Sequence, residues 1–439
     1  MSDRGGPAQA ADEGYPSLRR NRNFLRYFFG QFVSNAGDSL YTVATLWLVF
    51  DLSGSTFLTG IASSLLLLPF LLQIVAGPIV DRFPIKPLLI GTQVAQGAVA
   101  LVFPFAAYTE TLTVELVLAV IPLLSLLTTV AAPIRATLVS RIVADEQLSR
   151  SNSVLATVTL GLDMIFDALG GLLIAVFGTT ALFLLDSLTF AVAGVLFLGM
   201  TIPTVEGEHK QSEKPVLIDY VADLRAGIDV LRGTVFVDMM FTSAVLNFTV
   251  GVTLAILPAF GDSLGGAAVY GLLLGALGTG RLMGSASASY LEGVAYGWLK
   301  TVTFLLSALL WLGSVYSSSL VLTVGLFGLA WVSDGIDGVM IETLNQKVFP
   351  SDLLGRVSAI KGTASTATLP IGSLAGGFIA QRIGTTTTMG LAAAGFGFAG
   401  LYFALRPSLR RLPAMNDVDP AEFDVHVDSP PLSEDPNEE

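Results

Sequence analysis

Apolar residues in this chain come in long unbroken blocks separated by short polar joints. Blocks long enough to cross a hydrocarbon core as a helix, about 20 residues, lie near 24–50, 57–80, 87–108, 114–139, 153–177, 179–200, 234–260, 268–291, 298–317, 320–345, 357–382 and 385–405. None shows the period-two alternation of a membrane β-barrel. The pattern therefore predicts an all-α membrane protein with twelve transmembrane helices. The longest joint inside the array, 201–233, divides it six and six. Within it Leu217, Val221, Leu224, Ile228 and Leu231 recur at helical spacing among Asp219, Asp223, Arg225, Asp229 and Arg232, which predicts an amphipathic linker helix.

The two groups of six resemble each other. A shift of 206 residues places Arg150 on Arg356, Thr157 on Thr363, Gly170-Gly171 on Gly376-Gly377, and Gly178-Thr179-Thr180 on Gly384-Thr385-Thr386. Matches of this variety without a gap predict parallel repeats, two pseudo-symmetric six-helix halves about an axis along the membrane normal. The expected organisation is a polar N-terminus (1–22), a first half (23–200), the linker (201–233), a second half (234–406) and a tail (407–439). The first 22 residues lack the apolar core and cleavage site of a signal peptide, so the first span is expected to direct insertion.

Composition narrows the class. Apolar residues make up 52% of the chain and charged residues 13%, about half the charged share of a soluble protein, so lipid is the main solvent. The net charge of −12 belongs mostly to the tail, where nine acids and no base follow Arg411; such a segment is expected to be disordered. Lys and Arg fall on alternate joints: Arg19 to Arg26, Arg82 and Lys86, Arg141 and Arg150, the linker, Lys300, Lys347 and Arg356, and Arg406 to Arg411. That asymmetry predicts a multi-pass protein of the cell membrane with both termini in the cytoplasm. Cysteine is absent and the two histidines, His209 and His426, lie outside the spans. Thiolate metal sites are thereby excluded and Ser-His chemistry has almost no raw material; no cofactor or metal is expected, and the chain does not read as an enzyme. No Walker sequence is present, and Gly278-Thr-Gly280-Arg-Leu-Met-Gly284 lies inside a span, where it reads as helix packing.

The joint Gly77-Pro-Ile-Val-Asp81-Arg82-Phe-Pro-Ile-Lys86 resembles motif A of the major facilitator superfamily. Within that superfamily, Gln31-Phe-Val-Ser-Asn-Ala-Gly-Asp38-Ser-Leu, Phe183-Leu-Leu-Asp186-Ser-Leu-Thr-Phe190 and Phe349-Pro-Ser-Asp-Leu-Leu-Gly355-Arg356-Val357 resemble the drug-exporter branch that contains macrolide and siderophore efflux proteins. The resemblance covers roughly 22–406. It implies that Gly77, Asp81, Arg82 and Lys86 form a gating latch on the cytoplasmic side, an acid–base pair that breaks during motion. The bland alternative is that these charges only set topology. The antiporter pattern G-P-x-x-G-G is not kept: Phe166-Asp167-Ala168-Leu169-Gly170-Gly171 replaces its Gly-Pro.

Charges inside spans are expensive and face a cavity or a partner. Asp38 lies midway along span one, Asp163 and Asp167 one turn apart in span five, Arg281 in span eight, and Asp334 and Asp337 in span ten. Spans three, nine and twelve carry no mid-membrane charge and are the peripheral ones in the family that the chain resembles. Asp186 in span six is expected nearer the outer surface. Under the repeat, Asp163 and Asp167 fall on Leu369 and Ser373, so the fold does not require acids there. Two carboxylates a turn apart in low dielectric repel one another, and an acid that exchanges a proton near neutrality is what proton coupling needs. Asp38, Asp163, Asp167, Asp334, Asp337 and Arg281 are therefore the candidates for coupling or substrate contact. Structural helix–helix hydrogen bonding is the competing role for the acids, and Arg281 is expected to neutralise Asp334 or Asp337.

The expected function is secondary active transport, a proton-coupled exporter of lipophilic, cationic small molecules working by alternating access. The expected partners are the small-molecule substrate, protons and the lipid bilayer, with no nucleic acid and a monomeric state. The alternatives are a proton- or sodium-coupled importer of a nutrient or osmolyte, and a non-transporting membrane sensor or lipid-handling protein.

Overall fold

The computed structural model describes residues 17–67, 84–202, 231, 233–350, 357, 360–363 and 365–423. Gly77, Asp81 and Arg82, the linker helix apart from Leu231, Arg356, and the end of the tail lie outside the described residues. Regular structure among the described residues is helical. The long helices are α1 (Arg22–Ser53), α2 (Thr56–Leu66), α3 (Ile85–Ala100), α4 (Val102–Tyr108), α5 (Val114–Ile142), α6 (Asp145–Leu198), α7 (Val235–Gly265), α8 (Ala267–Ala288), α9 (Tyr296–Val315), α10 (Leu320–Ala330), α11 (Val332–Val348), α12 (Thr368–Ile383) and α13 (Thr385–Leu405). Asn21 opens α1 by accepting from the backbone N–H groups of Asn23 and Phe24, and Gly54, at φ 59°, closes it. Among the described residues seven helices are long and apolar enough to cross a membrane on their own; α3 with α4, and α10 with α11, each count as one.

One of those seven is α6, and it accounts for two predicted spans. Its 54 residues would extend about 80 Å as one rod, more than twice the hydrocarbon thickness. The chain instead turns at Gly178, whose φ of 78° a side chain would strain. Contacts along α1 show the reversal. Asn35, Ser39 and Val43 meet Thr159, Asp163 and Gly170 in rising order on the first arm. Gly30, Gly37 and Tyr41 meet Phe197, Asp186 and Phe183 in falling order on the second. Gly384, the repeat counterpart of Gly178, has φ 89° and separates α12 from α13 in the same way. Each of the twelve predicted spans thus has helix among the described residues, the second only as the 11 residues of α2.

The repeated glycine pairs make equivalent contacts. A methyl on Gly170 would press on Val43 of α1, and one on Gly376 on Val252 of α7. Gly171 meets the backbone of Gly271 in α8, and Gly377 that of Gly60 in α2, so closely that neither position has room for a side chain. These approaches shape the packing units. The first unit comprises Met1–Ser212 with Gly251–Gly278 and Pro370–Met389; the second comprises Glu213–Val250, Thr279–Leu369 and Gly390–Glu439. Parts of α7, α8, α12 and α13 thus pack with residues of the first half, where small residues admit backbone contact.

In the described part of the tail, residues 407–423, the chain forms a short helix, α14 (Pro407–Arg410), and two 3-10 turns. Tyr296 donates its N–H to the Pro413 carbonyl at 3.0 Å and Lys347 its ammonium to the Met415 carbonyl at 2.8 Å. Leu409, Leu412, Met415 and Phe423 are buried in the cluster that holds Phe236, Met340, Leu344 and Phe349. Four well-spaced apolar anchors dock a segment whose mean composition reads as disordered.

Candidate functional site

In the first unit the candidate acids converge on the α1–α6 contact. Ser39 donates to Asp163 Oδ1 at 3.0 Å, a turn from the Asn35–Thr159 hydrogen bond of 2.9 Å. Asp167, the next turn along, lies within electrostatic reach of Asp163 and of Tyr270 in α8. The Tyr270 ring stacks on Trp47 at 6.0 Å. Asp38 of α1 lies within electrostatic reach of Asp186 on the second arm of α6. Asp186 is 1% exposed, because Gly37 leaves a notch in α1 that its carboxylate enters. From Tyr27 to Ser53 in α1, and from Ser151 to Leu198 in α6, there is no Lys or Arg. Asp38, Asp163, Asp167 and Asp186 thus sit on contacting helices whose spanning stretches contain no base.

In the second unit acids and bases are matched. Arg281 Nε lies 2.6 Å from Asp334 Oδ2, with the guanidinium 5.9 Å from the Trp331 ring centre. Of the two acids that the sequence offers to Arg281, Asp334 takes it. Asp337 is committed elsewhere: Tyr296 donates to Oδ1 at 2.6 Å and Lys300 to Oδ2 at 2.7 Å. Both of its oxygens are thus held in a buried pair. Lys300 is not a loop base. Helix α9 begins at Tyr296, so Lys300 lies a turn inside it, and its ammonium rests 4.7 Å from the Phe403 ring centre. Sequence reasoning passed over Lys361, which is buried, donates to Asn345 Oδ1 and faces the Phe236 ring at 4.5 Å. Its signal was available, as the lysine inside the block 357–382. Trp311 and Trp331 are buried against Phe327 and Phe396, whereas Trp298 is exposed.

Of the motif-A residues only Lys86 is described. It donates to the Met200 carbonyl at 2.6 Å, tying the start of α3 to the end of α6. Among the described residues no group of three His, Cys, Asp or Glu converges as a metal site.

A multi-pass helical bundle with repeated halves and charges buried between its helices has the build of a secondary transporter. The family model described as transmembrane secretion effector matches residues 16–438, and the chain belongs to that family, within the major facilitator superfamily. It is 24% identical over 382 residues to macrolide efflux protein A of Streptococcus pyogenes, covering 82% of this chain and 90% of that protein. It is also 24% identical over 248 residues to the uncharacterized MFS-type transporter YkuC of Bacillus subtilis, covering 55% of this chain and 57% of that one. Among solved structures it resembles a bacterial homologue of the human lysosomal transporter Spinster in an inward-facing, occupied conformation (TM-score 0.70, 11% identity, 90% of this chain and 98% of that one). A bacterial homologue of the iron transporter ferroportin, inward-facing, is similar at TM-score 0.64 and 17% identity, covering 89% and 99%. These two likenesses bear on the fold alone. The chain is a membrane transporter of small molecules and not an enzyme.

Proposed function

We propose that this transporter is a proton-coupled exporter of lipophilic, cationic small molecules, acting as a monomer in the cell membrane with both termini in the cytoplasm. The observation that carries this reading is the gathering of acids in the first unit. Asp163 accepts from Ser39 of α1, Asp167 lies a turn further along α6 within electrostatic reach of it, and Asp38 lies on α1, the helix in contact with both arms. Such a wall attracts a cation, and a proton taken up by one of its acids displaces that cation, which couples the two movements. The similarity to a macrolide efflux protein supports export of a lipophilic compound. Residues 23–200 and 234–406 would rock about the site, with Gly77, Asp81, Arg82 and Lys86 latching the cytoplasmic side.

The test uses inside-out vesicles holding the full chain, with ethidium and erythromycin as probes. Accumulation should follow an imposed proton gradient and collapse with it; accumulation that ignores the gradient would sink the coupling. Asp38→Asn should insert normally and lose gradient-driven accumulation, and full activity in that variant would remove Asp38 from the mechanism.

A further inference from the structure

The carboxylate of Asp186 stands in a setting that no structural role explains. It is 1% exposed, and neither of its oxygens has a hydrogen-bond partner. A methyl on Gly37 would lie 2.6 Å from Oδ1, so the oxygen points at the bare backbone face of α1 beside the Thr189 side chain. On the Gly178 side, Phe183 stacks on Phe103 at 4.5 Å, and Tyr41 closes against both rings at 6.0 and 6.2 Å. The ionisable groups that act on the site are Asp38 and Tyr41 of α1. Of the helices packed on this arm, α3 and α4 offer Lys86 at one end and Tyr108 at the other, and α5 carries Glu115, Arg135 and Arg141.

An ionised carboxylate in such a place would have no hydrogen-bond donor among the described residues and almost no access to solvent, which strongly disfavours the charge. A structural acid would have found a partner, as Asp337 has. We infer that Asp186 carries the transported proton: it holds the proton while packed against Gly37, and yields it when the second arm of α6 moves along α1 and wets the notch. Asp38, beside it, is the relay between this dry acid and the substrate wall. This rests on the proton-coupled reading above.

The test separates the two. The full-length protein, reconstituted in lipid, is titrated by infrared difference spectroscopy, which detects the carbonyl stretch of a protonated carboxylic acid without any substrate. The wild type should show such a band at neutral pH, Asp186→Asn should lack it, and Asp38→Asn should change the pH at which it titrates. Identical spectra in the wild type and D186N would overturn the assignment, and because the band is read in the wild type and in D38N, poor insertion of D186N does not shelter it. In ethidium transport, D186N should lose gradient-driven movement and Asp186→Glu should keep it; full gradient-driven activity in D186N would overturn the coupling role. Were the wild type itself indifferent to the gradient, the exporter reading would fall and the coupling role with it, while the band would still decide whether Asp186 holds a proton.

Discussion

Lys300 and Asp337 meet at 2.7 Å with side chains 0% and 11% exposed, while Arg281 and Asp334 meet at 2.6 Å with side chains 49% and 14% exposed. Equal distances conceal unequal roles. Removing one partner of a buried pair strands a charge, and typically costs about 3–5 kcal/mol. Lys300→Met should therefore lower the unfolding midpoint sharply in a detergent thermal melt, and adding Asp337→Leu should recover most of the loss. The Arg281 side chain is half exposed, so its pair is less enclosed than that of Lys300, and Arg281→Gln should lower the midpoint less than K300M does yet alter the transport of cationic probes. A collapse of R281Q stability equal to that of K300M would refute this division. Asp334 and Asp337 lie three residues apart on one helix and look alike in sequence. What distinguishes them is where α9 starts, and spacing alone does not report that.

At the scale of elements, the repeat was the most informative signal in the sequence. It paired Gly171 with Gly377 and Gly178 with Gly384, and the members of each pair do the same work: close backbone contact at one position, a turn through positive φ at the other. The partners of those glycines were not legible, because Gly271 and Gly60 lie 100 or more residues away and small residues are common in every span. Nor was the docking of 407–423, where four apolar anchors were averaged into an acidic composition. The approach of α2 to α12 can be tested through Ser63 and Ser373, whose hydroxyls lie 3.0 Å apart while Ser373 also donates to the Gly251 carbonyl. The chain has no cysteine, so Ser63→Cys with Ser373→Cys supplies its two thiols. Mild oxidation should cross-link them within one chain, and transport should fall to background and return on reduction. Undiminished transport in the cross-linked protein would show that this contact persists through the cycle.

For the molecule as a whole, the bilayer made the span pattern readable, because one solvent thickness sets the length of every apolar block. It left unread which buried acids are partnered, since burial inside a bundle depends on neighbours such as Gly37 rather than on the residue itself. A parallel repeat adds a constraint that hydropathy lacks: positions 206 apart must lie on the same side of the membrane, so each half contains an even number of passes. Thr111 and Ser317 are such a pair, on joints without Lys or Arg, while Ser17 and Ser408 flank the basic joints at the two ends of the array. Single cysteines placed at the exposed residues Ser17, Thr111, Ser318 and Ser408 can be probed with a membrane-impermeant maleimide. In intact cells T111C and S318C should label and S17C and S408C should not, with the pattern reversed in inside-out vesicles. Labelling of S17C and S408C from opposite sides would require an odd number of passes. It would break the twelve-span count and the repeat together, because neither holds unless the chain returns to the side on which it started.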